Sequence, residues 1–377
     1  ITPDCVGDTV TFSLSRPRNL SVEVNGDIFH NLHLFANPID KFRPSDKEIQ
    51  RALKKKKGSN LIYFGPGVHN LPNDTLFVPS GTTVYIDGGA RVYGNIFTEG
   101  AHDVNIFGRG EVHPDGRGAG VWVRRSKNVR IDGIVVSQLP IGQCDSVELT
   151  NVKSISYYGW GDGMDVFSSS NVILDGVFCR NSDDCAAVYA STQGFKGGSN
   201  NVLVKNATLW ADVAHPINIG GHGDPNGMDT VQNVTFRNID ILDQAEKQVD
   251  YQGCLAINPG DNTLVRNITF ENIRIEDFRN GQLVNFRISF NPKYCVSTGR
   301  GIQNVLVKDV TYNGSGENLS IIAGYDENHK ISGIRFVNLV VNGRKITDDM
   351  PGKPKWYKTG DMAGIFVGEH VENLSFE

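Results

Sequence analysis

The sequence predicts an all-β chain wound as a parallel β-helix, and three observations predict it. First, a unit of the form Asn/Ser-Val/Ile-x-apolar-x-Asn/Asp/Gly-apolar recurs along most of the 377 residues, and such self-similarity is the mark of a solenoid. Second, apolar and polar residues alternate inside each unit, with Val, Ile, Phe and Thr prominent, which is strand periodicity and strand composition. Third, 42 glycines and many Asn and Asp residues supply the corners between short strands.

Residues 1–40 stand apart from the repeat. Thr9-Val10-Thr11-Phe12-Ser13-Leu14, Leu20-Ser21-Val22-Glu23-Val24 and Asn31-Leu32-His33-Leu34-Phe35 predict a few antiparallel strands. Forty residues bury too little surface to stand alone comfortably. The region is expected to be an appendage or part of a small β-sandwich. Residues 41–377 are assigned to the solenoid, the catalytic domain if there is one. It opens with the best amphipathic helix of the chain, Ser45 to Lys57, where Ser45 and Glu48 make an S-x-x-E capping pattern. A helix laid over the open first turn keeps that edge from association.

Strong copies of the unit start at Asn128, Ser146, Asn171, Asn201, Asn233, Asn267 and Asn304, and weaker ones at Asp103, Gly333 and Asn373. Their spacing widens from 18 to 37 residues. That is too irregular for a helical repeat and suits strands whose corner loops vary in length. The recurring Asn reads as scaffold, because stacked amides at equivalent corners hydrogen-bond one another and the turn backbone.

Composition excludes several classes. The formal charge is −5 and the only basic run, Lys54 to Lys57, reads as a solvated helix end, so nucleic acid is not an expected partner. No stretch is long and apolar enough to span a membrane. The chain begins at Ile1 rather than Met, compatible with a signal peptide removed or not shown; the expected location is secreted or periplasmic. The six cysteines, Cys5, Cys144, Cys179, Cys185, Cys254 and Cys295, contain no CxxC pair, which argues against zinc. Cys185 and Cys254 read as buried thiols, and a Cys179–Cys185 pair stays open. No metal and no cofactor are expected.

The chemistry concentrates in two neighbouring repeats. Asp162 lies in Gly159-Trp160-Gly161-Asp162-Gly163-Met164-Asp165, and Asp183 and Asp184 follow in Asn181-Ser182-Asp183-Asp184-Cys185. Neighbouring turns of a β-helix lie about 4.7–4.9 Å apart. Aligning Val166, Val188, Ile219 and Ile257 as inward residues puts Asp162, Asp183, Asp184 and His215 at one edge. Carboxylates this close cannot all ionise freely, so at least one pKa must rise. A scaffold gains nothing from that, whereas an acid/base catalyst does. Asp-Gly or Asp-Asp alone commonly makes a turn; the spacing and the histidine together argue for a site. Asp165 reads as a supporting or turn residue. Adjacent strand residues point to opposite sides, so Asp183 and Asp184 can share a pocket only at an irregular stretch of backbone. Among the nearby aromatics Tyr157, Tyr158, Trp160, Tyr189 and Trp210, Trp160 is the best candidate to stack on a sugar, and Tyr189 joins it in the candidate substrate-binding set.

Trp160-Gly161-Asp162-Gly163-Met164-Asp165 resembles the N-T-D-G-x-D motif of the polygalacturonases, glycoside hydrolase family 28. Asn181-Ser182-Asp183-Asp184-Cys185 resembles that family's x-D-D-C motif. His215-Pro216-Ile217-Asn218-Ile219-Gly220 resembles its G-H-G-x-S-I-G segment, with His215 on the histidine. The resemblance runs from roughly residue 60 to the C-terminus. It implies a right-handed parallel β-helix of the pectin-lyase-like kind and inverting hydrolysis of a polysaccharide or oligosaccharide. By that resemblance Asp183 is the general acid, while Asp162 and Asp184 hold and activate water.

The departures bear on substrate. The family's R-I-K motif, which grips a uronic carboxylate, falls on Ala256-Ile257-Asn258, so the clamp is gone. Either other groups, such as Arg287 or Lys293 from later turns, hold the carboxylate, or the substrate is not a galacturonide; Asn258 and Arg287 join the candidate substrate-binding set. Gly159 and Gly161 stand where the family has Asn-Thr. Gly221-His222-Gly223 reads as a turn after the strand, not as the catalytic histidine. The expected function is an inverting glycoside hydrolase of a pectic or related polysaccharide. A neutral α-glucan is the alternative substrate, because family 49 dextranases and isopullulanases also use three aspartates on a β-helix behind a β-sandwich. A calcium-dependent polysaccharide lyase needs a basic residue beside Asp183 and Asp184, where only Arg180 is near. A non-catalytic carbohydrate-binding β-helix needs no clustered acids.

Overall fold

The computed structural model describes residues 1–54, 58–315 and 317–377. They form two compact units, Ile1–Phe42 and Arg43–Glu377. The smaller unit holds two antiparallel hairpins, Asp4–Val6 with Thr9–Thr11 and Arg18–Val24 with Asp27–Ala36. The second turns on Asn25 and Gly26, both at positive φ (58° and 73°). That is the turn geometry whose twist matches flanking strands and which Asn-Gly favours.

The larger unit opens with the helix Asp46–Leu53, held by the expected capping box between Ser45 and Glu48. It is shorter than the sequence suggests, with Lys54 as its C-cap; Lys55 to Lys57 lie outside the described residues. Ile49 is its buried residue, and the helix packs on Leu61–Phe64, where the solenoid begins.

From there the strands of the inner turns pair in parallel with their equivalents one turn before and one turn after, and Arg344–Ile346 adds an antiparallel pairing with Ile331–Val341. Val129, Val147, Val172, Val202, Val234, Ile268, Val305 and Ile334 stack in register and are buried. Each such side chain contributes roughly 1.5–3 kcal/mol of burial. The corner Asn residues explain themselves. Asn171, Asn201, Asn233, Asn267 and Asn304 all have φ between 55° and 57°, a left-handed conformation that Asn tolerates better than other residues with a Cβ. Their amides also form a ladder: Asn201 donates to Asn171 at 2.7 Å, Asn267 to Asn233 at 3.1 Å and Asn304 to Asn267 at 3.2 Å.

One face of the solenoid sets the strands Met164–Phe167, Ala186–Tyr189, Ile217–Ile219, Leu255–Ile257 and Val284–Arg287 side by side. Val166, Val188, Ile219, Ile257 and Phe286 share one inward row, the alignment read from the sequence. Strand alternation then makes Asp165, Ala187, Asn218, Ala256 and Asn285 the adjacent outward row. All six cysteines are free, so Cys179 and Cys185 do not pair.

Candidate active site

A cleft of 330 Å³ lies over this outward row. Its floor is set by how three consecutive turns are laced together. The Gly163 N–H donates to the Asp184 carbonyl at 2.8 Å, and the Cys185 N–H donates to the His215 carbonyl at 2.9 Å. Asp162, Asp184 and His215 thus hold equivalent places on successive turns. Glycines permit the approach: a Cβ at Gly163 would lie 2.2 Å from the Cys185 carbonyl oxygen, and one at Gly161 2.4 Å from Ser182 Oγ. The buried Asn181 amide donates to the Asp162 carbonyl at 3.1 Å and to Ser156 Oγ at 2.9 Å, pinning the loop that presents Asp162.

Asp183 and Asp184 occupy the bend between the strands Phe178–Asn181 and Ala186–Tyr189. There the pleat no longer forces neighbours apart. The Asp184 N–H donates to Asp183 Oδ1 at 3.0 Å. One oxygen each from Asp162, Asp183 and Asp184 lie within 4.8 Å of one another. Three acids this close are also near enough to share a cation.

Their environments separate the three. Burial alone would raise the Asp184 carboxyl, but attraction and hydrogen bonding from His215, Tyr189 and Asn218 hold it below its ordinary value. Oδ1 accepts from His215 Nδ1 at 2.7 Å and from the His215 N–H at 3.1 Å; Oδ2 accepts from the Tyr189 hydroxyl and from Asn218 Nδ2 at 2.8 Å. All four lone-pair directions of this carboxylate are filled. Burial and the Asp184 charge push Asp183 up to about 7. Burial, then Asp183 and Asp184, raise Asp162 well above its ordinary value. Burial, with the same three carboxylates, does the same to Asp165, whose Oδ1 is buried without a partner. Tyr189 is raised by burial and by Asp184, so it stays a phenol and donates.

The cleft gathers Asp162, Asp183, Asp184, His215, Trp160, Tyr189, Asn258 and Arg287, together with Asp165. Trp160 is 65% exposed, with the Arg117 guanidinium 5.7 Å from its ring centre. The Asn258 amide donates to Asn285 Oδ1 at 3.1 Å. Three of the aromatics read from the sequence go elsewhere. Trp210 is buried beneath the Arg180 guanidinium, 4.1 Å from its ring centre. The Tyr158 hydroxyl donates to the Gly118 carbonyl, and neither Tyr158 nor Tyr157 lines the cleft. Lys293 sits over the rings of Tyr251 and Tyr294 at 5.2 and 4.8 Å, outside the lining.

His222 adds to the sequence reading. It does lie in an irregular loop, yet its ring lines the cleft and meets Tyr189 edge-on at 5.0 Å; burial lowers its pKa. Sequence reasoning also missed Glu246, Asp250, Tyr251 and Tyr294. All four lie on excursions between strands, where no repeat marks them. Glu246 accepts from the Ala214 N–H at 3.2 Å and the Gln248 N–H at 2.7 Å.

A parallel β-helix with clustered carboxylates in a groove of one sheet can support acid/base chemistry, and the site rather than the fold carries that argument. Residues 120–350 match the family described as glycosyl hydrolases family 28, and the chain belongs to that family. It is 26% identical over 295 residues to a polygalacturonase of Juniperus ashei, covering 69% of this chain and 54% of that protein. It is 29% identical over 164 residues to a probable endo-xylogalacturonan hydrolase A of Neosartorya fischeri, covering 43% and 38%. The chain spans about half the length of the curated relatives it matches first. The solved family 28 exopolygalacturonase of Yersinia enterocolitica shares the fold, with a TM-score of 0.60 at 13% identity over 91% of this chain and 79% of that one. Among the described residues, no helix is long and apolar enough to cross a membrane.

Proposed function

We propose that this protein is a secreted, inverting glycoside hydrolase acting on a pectic or related polysaccharide or oligosaccharide, with the Arg43–Glu377 unit as its catalytic domain. The observation that carries the reading is the division of labour among adjacent acids. Asp183 keeps a proton up to about pH 7 beside Asp184, which is held ionised. A general acid needs the first property. While Asp183 holds its proton it exerts no charge on Asp162, which removes one of the causes that raise Asp162 and leaves burial and the Asp184 charge; a carboxyl raised in this way is the stronger base once ionised.

Asp183 donates its proton to the glycosidic oxygen as the bond to the leaving sugar breaks. Asp162 removes a proton from the attacking water. The charge on Asp184 offsets positive charge on the sugar ring, and His215, bonded to Asp184 through Nδ1 at 2.7 Å, leaves its Nε2 to hold that water. Acid–base separation alone favours the other stereochemistry, since inverting pairs stand about 6.5–9.5 Å apart and these oxygens are within 4.8 Å. Three acids rather than two weigh the other way, since one can donate the proton while another activates the water. A carboxylate with four accepted bonds must break some of them before it can add to carbon, so Asp184 is a poor nucleophile.

Ala256 and Asn258 in place of the carboxylate clamp, and the likeness to a probable endo-xylogalacturonan hydrolase, favour a substituted galacturonan over plain polygalacturonate. Ala256 equally suits a neutral glucan, the second reading. The test is a panel of defined polysaccharides assayed for new reducing ends, with and without chelator. Hydrolysis of a pectic polymer that persists in chelator supports the proposal. A product absorbing in the ultraviolet, lost with chelator, identifies a lyase instead; binding without turnover identifies a carbohydrate-binding protein.

A further inference from the structure

We propose that Asp250 sets the charge specificity of the cleft. By holding the Arg287 guanidinium it takes the place of a substrate carboxylate, and so biases the site toward neutral, esterified or substituted sugar units. The inference rests on reading the cleft as a sugar-binding site.

Among the described residues that line the cleft, Arg287 is the only Arg or Lys. The same lining carries Asp162, Asp165, Asp183, Asp184, Glu246 and Asp250. Arg287 is therefore the cation within that lining, with Lys293 at its rim over the Tyr251 and Tyr294 rings, and Arg287 is already engaged: its Nη2 donates to Asp250 Oδ1 at 2.6 Å. The two partners differ in setting. The Arg287 side chain is 19% exposed and that of Asp250 62%. A mostly buried guanidinium needs a counter-charge, and charge-assisted bonds of this length are the strong kind. Asp250 supplies that charge from the solvent side, the direction from which a substrate carboxylate would arrive.

The turn carrying Asp250 is fixed. Val249–Tyr251 forms a single 3-10 turn. The Gln252 amide donates to the Glu246 carbonyl at 2.6 Å, and the Asn291 amide donates to the Tyr251 hydroxyl at 2.9 Å. Asp250 is thus delivered to Arg287 by anchored neighbours. Ala256 and Asn285, on the outward row beside Arg287, bring no charge. An acidic sugar must either displace Asp250 or accept an already neutralised cation in a cleft of carboxylates. A neutral or esterified unit meets neither cost, and specificity of this kind comes from repulsion as much as attraction.

The experiment replaces Asp250→Asn in the full chain and reads two quantities. One is calorimetric affinity for a short oligomer of galacturonic acid and for its methyl ester. The other is the ratio of kcat/KM on de-esterified to esterified polymer. Asp250→Asn is expected to tighten binding of the acidic oligomer by roughly tenfold or more, the scale of a charged hydrogen bond, with the gain appearing in KM and weakening as salt rises. Adding Arg287→Gln to Asp250→Asn should erase the gain. An acid-to-ester preference that stays within twofold of wild type, in binding and in turnover, overturns the proposal. So does a gain that survives loss of Arg287. The binding measurement stands even if no polymer is hydrolysed, so failure of the hydrolase reading and failure of this inference are told apart.

Discussion

Replacing Asp183 by Asn should remove the proton donor and a penalty on folding in the same step. With its carboxyl at about 7, Asp183 is ~90% protonated at pH 6 and ~10% at pH 8 by simple titration. The wild-type kcat/KM should therefore fall on the alkaline side, approaching about tenfold per pH unit above neutrality. Asp183→Asn should lose roughly 10²–10⁴-fold at the optimum. The stability effect has the opposite sign. A carboxyl whose folded pKa is raised stabilises the fold fully below its unfolded value near 4, and that stability is lost as pH rises through about 7. Asn carries no charge to bury, so the variant should melt above wild type at pH 8, with the difference vanishing toward pH 4. Initial rates of reducing-end release from pH 4 to 9, with thermal unfolding followed by circular dichroism at pH 4 and pH 8, measure both. An alkaline limb that stays flat through pH 9, or a variant keeping more than about a tenth of wild-type activity, refutes the assignment of Asp183 as the acid.

Asp162→Asn should also cost roughly 10²–10⁴-fold with an unchanged far-ultraviolet spectrum; near-normal turnover would remove Asp162 from the reaction. Plain polygalacturonate should be a poorer substrate than an esterified or substituted galacturonan, because Ala256 and Asn258 offer no cation; a high specific rate on the unmodified polymer reverses that expectation. Proton NMR of the first-formed sugar, recorded before mutarotation, should show inverted configuration; net retention, or a trapped glycosyl-aspartate, would displace the water-activation scheme. Gly163→Ala should destabilise the fold by about 1–3 kcal/mol, the cost of overpacking, since its Cβ would meet the Cys185 carbonyl oxygen at 2.2 Å; an unaltered denaturation midpoint would mean that the turns are less tightly laced than described.

What the sequence determined by itself is whatever repeats. Alternating Val and Ile need only a period of two to declare an inward face. That period, carried from turn to turn, aligned Val166, Val188, Ile219 and Ile257, and with them Asp162, Asp184 and His215. The Asn corners were legible for the same reason, although their positive φ was not. The capping box was visible in Ser45 and Glu48 because it is local. What only the tertiary structure decided comes from segments that obey no period. The excursions carrying Glu246, Asp250, Tyr251 and Tyr294 reach the cleft from loops whose paths are set by long-range contacts. His222 was passed over as a turn residue because a turn can still aim a ring at a pocket. Trp210 and Tyr158 were aromatic and near in sequence, yet packing gave them other partners. The acids separate for the same reason. Three aspartates are chemically alike in a sequence; the four hydrogen bonds converging on Asp184 hold its carboxyl low, while burial and neighbouring charge raise Asp183 and Asp162.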